Sequence, residues 1–142
     1  MTGRVVDASV AIKWFVDEHD SDEATRLLQH PLAAPDLLAA ECANILWKKV
    51  VRAELSLNEA EVIALALQGA AITLHSTRSY LANATRIACD LGLAAYDCFY
   101  LALAETLRQP LVTADMRLVN TVRAHSAARF AELVVPLKEL AG

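Results

Sequence analysis

Four acidic residues are set apart from the chain's other carboxylates by where they fall: Asp7, Glu41, Asp97 and Asp115. Asp7 follows the apolar run Arg4-Val5-Val6, and Asp115 closes Leu111-Val112-Thr113-Ala114. Each has an ordinary structural role open to it as a helix N-cap, since its oxygens can accept from the free N–H groups of the segment that follows. Glu41 lies in a long helical pattern in which Asn44, Lys48 and Arg52 share its arc and Ala39, Ala43, Leu46 and Val50 lie opposite. A lone Glu there reads as part of a solvated face. Asp97 is different, because Leu93, Leu101 and Ala104 share its helical face and turn it toward apolar surroundings. A buried carboxylate is costly unless a partner or a cation offsets it. The milder alternative is a first-turn acid favoured by the helix dipole.

Taken together, two acids follow strands, one lies on a helix and one faces inward near a helix start. Clustered carboxylates repel and persist mainly where a cation neutralises them. An all-oxygen set of hard ligands selects Mg²⁺ or Mn²⁺ over zinc. The other metal-binding residue types lack ligand spacing. Cys42, Cys89 and Cys98 form no CxxC pair and read as buried small hydrophobes in a reducing cytosol, while His19, His30, His75 and His125 read as surface or loop residues.

The elements that must position these acids alternate between short apolar strands and helices. Strands are expected at Arg4 to Asp7, Leu32 to Ala34, Ala71 to Leu74, Leu111 to Thr113 and Leu133 to Val135. Helices are expected from Ala8 to Val16, Asp20 to Gln29, Asp36 (as N-cap) to Arg52, Ser76 or Thr77 to Leu91, Ala94 to Leu107 and Asp115 to Ala124. Ser56-Leu57-Asn58-Glu59 has the form of a capping box, opening a further helix that Gly69 stops. Such alternation predicts a parallel sheet covered on both faces, with reactive groups outside the carboxyl ends of the strands. Trp14, Phe15 and Trp47 read as core, the alternative being an apolar groove for a partner helix.

The bulk composition fits one domain. The chain has 142 residues, 56% of them hydrophobic and 21% charged, with no repeat or low-complexity tract. The start of the chain is not a secretory signal, and no window holds about 18 uninterrupted apolar residues, so no membrane span is expected. The net charge of −4 disfavours a general polyanion binder, so a nucleic acid would need a local basic patch, a metal or a second copy.

Val5-Val6-Asp7-Ala8-Ser9, Glu41 with Asn44, Ala95-Tyr96-Asp97-Cys98-Phe99-Tyr100-Leu101-Ala102-Leu103-Ala104 and Val112-Thr113-Ala114-Asp115 resemble the PIN domain. More narrowly, they are similar to the VapC toxins of bacterial toxin–antitoxin pairs, and the resemblance runs from Arg4 to about Val135. It implies a single PIN-like domain over 1–142, a three-layer α/β/α fold with a central parallel sheet of four or five strands, and a cytoplasmic metal-dependent endoribonuclease. In that reading Asp7, Glu41, Asp97 and Asp115 form the catalytic acidic pocket, and Ser9, Asn44 and Thr113 orient water or the carboxylates. Asp7, Asp97 and Asp115 would make the inner contacts to Mg²⁺ or Mn²⁺, with Glu41 binding a second ion or placing the attacking water. Lys48 and Arg52, on the arc of Glu41, are candidates to meet RNA phosphates; Lys13 and Arg86 read rather as ordinary surface charge. The resemblance also implies a cognate antitoxin that covers the pocket, and a homodimer.

Three other classes compete. A receiver domain usually starts with adjacent acids after its first strand, and here Asp7 is followed by Ala8, with Lys138 falling late. A structure-specific DNA nuclease would carry more acids and extra helices. A catalytically silent PIN-like protein-binding module is the remaining alternative, which metal titration separates from a nuclease.

Overall fold

The computed structural model describes residues 2–125 and 129–140. Strands β1 (Arg4–Val6), β2 (Leu32–Pro35), β3 (Thr73–His75), β4 (Leu111–Thr113) and β5 (Val134–Pro136) form one sheet in the order β3-β2-β1-β4-β5. All pairings are parallel, and Val5 at the centre stands opposite Ala33 on one side and Leu111 on the other.

Seven helices complete three layers among the described residues: α1 (Ala8–Ala11), α2 (Ser21–Arg26), α3 (Leu37–Val51), α4 (Leu57–Gln68), α5 (Leu81–Leu91), α6 (Ala95–Leu107) and α7 (Met116–His125). Successive strand side chains point to opposite faces. Val5, Leu111 and Val134 therefore join one core with Ile87 of α5, Leu101 of α6 and Val119 of α7. Val6, Val112 and Leu32 join another with Val10 of α1, Ala24 of α2 and Leu137. A third, smaller cluster of Ile12, Leu46 and Ala60 ties α3 to α4.

Local signals explain most boundaries. Ser56 accepts from the Glu59 N–H at 3.1 Å while Glu59 accepts from the Ser56 N–H at 2.9 Å, so the capping box forms as expected. Ser56→Ala is expected to destabilise the protein by about 1 kcal/mol and lower the melting temperature by roughly 2–4 °C. An unchanged thermal melt would show that α4 does not need its cap. Gly92 stops α5 in the left-handed region at φ 68, where the absence of a Cβ removes the strain.

Three expectations are corrected. The segment after Asp7 is only one α-turn, continued by a 3-10 turn over Ile12–Trp14, so it is not a helix through Val16. Asp36 stands before α3 but does not cap it. Its backbone is already helical, and its Oδ1 instead accepts from the Thr77 N–H at 3.1 Å, tying the end of β2 to the turn after β3. Ala39 and Ala43 are exposed, because the inward face of α3 is Leu38, Cys42 and Leu46.

The strand order has a direct consequence for placing a site. From β1 the chain runs outward through β2 and β3 on one side, then returns to build β4 and β5 on the other. The strand order reverses between β1 and β4, and in an open α/β sheet the carboxyl ends of the strands at such a reversal are where ligands bind.

Candidate active site

Asp7 and Asp115 leave β1 and β4 at that reversal. Asp7 is 9% exposed, and both of its oxygens are held. Ser9 Oγ donates to Oδ1 at 2.5 Å, Thr113 Oγ1 donates to Oδ2 at 2.5 Å, and the Val10 N–H reaches Oδ1 at 3.3 Å. The two hydroxyls are oriented in turn from β4, since Ser9 Oγ accepts from the Ala114 N–H at 2.9 Å and Thr113 Oγ1 accepts from the Asp115 N–H at 3.0 Å. Asp115 Oδ1 accepts from the N–H groups of Arg117 and Leu118 at 3.0 and 3.3 Å. Capping and a functional placement are thus compatible: in both acids the cap bonds aim the carboxylate.

Glu41 comes from α3 and Asp97 from the first turn of α6, both half-buried. Glu41 is no solvated surface acid. Its Oε1 accepts from the Tyr100 hydroxyl at 2.5 Å, and Tyr100 is 2% exposed. Tyr100 is absent from the residues singled out by sequence. The available signal was its position three residues after Asp97, on the same helical face, combined with the need of a buried Tyr hydroxyl for a partner. Asn44 lines an open groove of about 440 Å³ with Ala8, Leu37, Ala40, Glu41, Ile45 and Tyr96.

The electrostatics show that these four acids share one field. Burial is the main force that pushes the Asp7 carboxyl from the ordinary 3.8 up to about 6, against its three hydrogen bonds, and the charge of Asp115 adds to the rise. Glu41 is raised by burial, partly offset by the Tyr100 bond, and further by Asp7 and Asp97. Asp97 is raised by burial and by Asp115, and Arg117 pulls it back. Among the described residues no three His, Cys, Asp or Glu side chains are already converged at chelating distance. Mutual repulsion opposes a closer approach of such carboxylates without a cation. Hard oxygen donors with unbalanced negative charge fit a divalent cation that would draw them together.

The remaining sequence candidates fall elsewhere. Lys48 and Arg52 are exposed on α3 and just beyond it, and neither lines the groove. Lys13 is engaged with the His19 carbonyl at 2.8 Å and Glu18 at 3.8 Å, and Arg86 pairs with Asp90 at 3.3 Å. Trp14 packs on the core and donates to the Ala24 carbonyl, but Phe15 and Trp47 are 41% and 61% exposed, contrary to the expectation that all three are core. Cys42 and Cys98 are buried as expected, whereas Cys89 is exposed. A separate apolar pocket of about 350 Å³ lies between α3 and α4. It is lined by Ala39, Ala43, Ala64 and Leu67 among others and by no carboxylate, so it offers no acid–base or metal chemistry.

Comparison with known proteins bears on the family and the fold. The family model described as PIN domain matches residues 4–124. Ribonuclease VapC3 of Pyrobaculum aerophilum is 35% identical over 136 residues, covering 93% of this chain and 98% of that one. Ribonuclease VapC9 of Mycobacterium tuberculosis is 31% identical over 120 residues, covering 84% and 91% respectively. The crystal structure of PAE2754 from Pyrobaculum aerophilum matches with a TM-score of 0.73 at 22% identity, covering 98% of this chain and 93% of that one, which bears on the fold.

Proposed function

Since the chain belongs to the PIN-domain family, we propose that it is a metal-dependent endoribonuclease and the toxin of a VapBC-type toxin–antitoxin pair, acting as one domain over residues 1–142. The observation that supports this most is the gathering of four carboxylates from β1, α3, α6 and the end of β4 at the reversal of strand order.

Asp7, Asp97, Asp115 and Glu41 would hold Mg²⁺ or Mn²⁺. When bound, such an ion acidifies water and screens the charge that builds on a phosphoryl oxygen. The residues themselves supply the rest. Ser9 and Thr113 keep Asp7 in one orientation, so its oxygens need no reorganisation during the reaction. Tyr100 fixes Glu41 through Oε1 and leaves Oε2 to orient the attacking water and accept its proton. Asn44 lies beside Glu41 in the groove, where its amide can hold water or RNA.

RNA would reach the site past Lys48 and Arg52. An antitoxin would cover the groove, where 68%-exposed Tyr96 offers apolar contact, and a second copy would complete a homodimer. No single helix among the described residues is long and apolar enough to cross a membrane. In this reading the protein acts in the cytoplasm, where RNA is met.

The test is incubation of the purified protein and its Asp97→Asn variant with total RNA, in Mg²⁺, Mn²⁺ or EDTA, followed by sequencing of new ends. Cleavage that needs both the metal and Asp97 is the expected result. A folded, antitoxin-free protein that cuts nothing and takes up no Mn²⁺ is instead a silent binding module.

A further inference from the structure

Arg117 stands at the start of α7, two residues after Asp115, and its backbone N–H donates to Asp115 Oδ1 at 3.0 Å. Its side chain is exposed, and that backbone bond sets it at the edge of the acidic group, where, among the cations of the described residues, its charge also acts on Asp97. Four other arginines of the described residues spend their guanidinium groups on carboxylates: Arg26 on Glu23, Arg86 on Asp90, Arg123 on Glu139 and Arg129 on Glu105. The Arg117 guanidinium makes no hydrogen bond or ion pair among the described residues. It stops short of Asp97, so its planar fork of donors remains available at the rim of an anionic pocket.

Such a fork matches the non-bridging oxygens of a phosphodiester, which it can bind through two parallel N–H···O bonds. A polyanion approaching a protein of net charge −4 also needs a positive group where its phosphate enters. We propose that Arg117 binds the phosphate being cut, from the Asp97 and Asp115 side of the pocket. This inference rests on the nuclease reading. Lys48 and Arg52, away from the groove, would meet flanking phosphates only, so Arg117 is the residue whose contact tightens as charge develops on the reacting group.

Two measurements on Arg117→Ala and Arg117→Lys test it. The first is binding of a short single-stranded RNA to the Asp7→Asn protein with and without Arg117→Ala, over a range of salt. Loss of affinity and a salt slope smaller by about 0.7, the value for one phosphate on a single strand, is expected. The second is steady-state cleavage at saturating Mn²⁺. Arg117→Ala is expected to lower kcat about 100-fold or more, in the range of a lost charge-stabilising donor, with Lys restoring part of it and Mn²⁺ affinity not weakened. Unchanged binding and unchanged kcat overturn the proposal. Weaker binding with unchanged kcat places Arg117 on a flanking phosphate and overturns it too. A rate that falls only at subsaturating Mn²⁺, with kcat at saturation unchanged, makes Arg117 an aid to metal binding and likewise refutes it. If the unmodified protein cuts no RNA, the nuclease reading falls, while the binding measurement still decides whether Arg117 holds phosphate.

Discussion

Asp7→Asn is expected to abolish RNA cleavage and, in the metal-free protein at pH 7.5, to raise the melting temperature. Loss of one carboxylate from the centre of the cluster should lower the rate by about 1,000-fold or more, equivalent to roughly 4 kcal/mol. The gain in stability follows from burial. The folded protein holds the Asp7 carboxyl at about 6 against an ordinary 3.8, so the fold favours the neutral form. A group raised in this way leaves stability intact below the unfolded value and removes it progressively as pH rises to the folded value. The penalty is therefore absent near pH 4 and complete above pH 6, where it reaches up to roughly 3 kcal/mol. Asn keeps the shape and an acceptor for the Ser9 hydroxyl and the Val10 N–H, and Thr113 can rotate to accept from its amide. Thermal melts at pH 4.5 and 7.5 should show a gain of several degrees at the higher pH and a clearly smaller one at the lower. A soluble variant with full cleavage removes Asp7 from the mechanism, and equal melting at both pH values removes the burial penalty.

Divalent metal is expected to stabilise the protein strongly, and far more at pH 7.5 than at pH 5. Asp7, Glu41 and Asp97 are all pushed upward by burial and by the charge of neighbouring carboxylates, so protons compete with a cation for the same oxygens as pH falls. At 100 times its dissociation constant a ligand adds about 2.7 kcal/mol to stability, or roughly 5–10 °C for a chain of this size. The shift should shrink as pH drops through 6 and vanish with EDTA, as should cleavage. Melting curves across pH with Mn²⁺, Mg²⁺ and EDTA measure it directly. Metal stabilisation that is equal at pH 5 and 7.5 would mean that the ion binds away from these acids.

The strands and most helices were legible because each carries a local signal. Arg4-Val5-Val6, Leu111-Val112-Thr113 and the Ser56 capping box declare themselves within a few residues. Asp7, Asp97 and Asp115 stood out for a related reason, since a carboxylate just past a buried strand or on the apolar side of a helix conflicts with its surroundings; Glu41, on a polar arc, gained weight only beside the other three. What stayed hidden depends on contacts between distant segments. Tyr100 reaching Glu41 joins α6 to α3, and Asp36 leaves its helix for Thr77 across the sheet edge. Trp47 looked like core because α3 is apolar on more than one side, and only the packed arrangement shows that Leu38, Cys42 and Leu46 face inward while Trp47 does not. Cys89 misled in the same way: small apolar character is not burial when α5 turns the residue outward.

The hydroxyl bridge from Thr113 to Asp7 joins residues 106 positions apart. A ribosome needs roughly 5–20 s to synthesise that interval. β1 emerges first, but its central place in the sheet stays vacant on one side until β4 arrives, so the pocket cannot close on a partial chain. A prematurely terminated product lacking β4 would carry Asp7, Glu41 and even Asp97 yet lack Asp115 and the Thr113 hydroxyl that holds Asp7. For a protein that would destroy RNA, this delay is a safeguard: a nascent chain cannot assemble the pocket, and so cannot cut the message it is being read from, before β4 has been made.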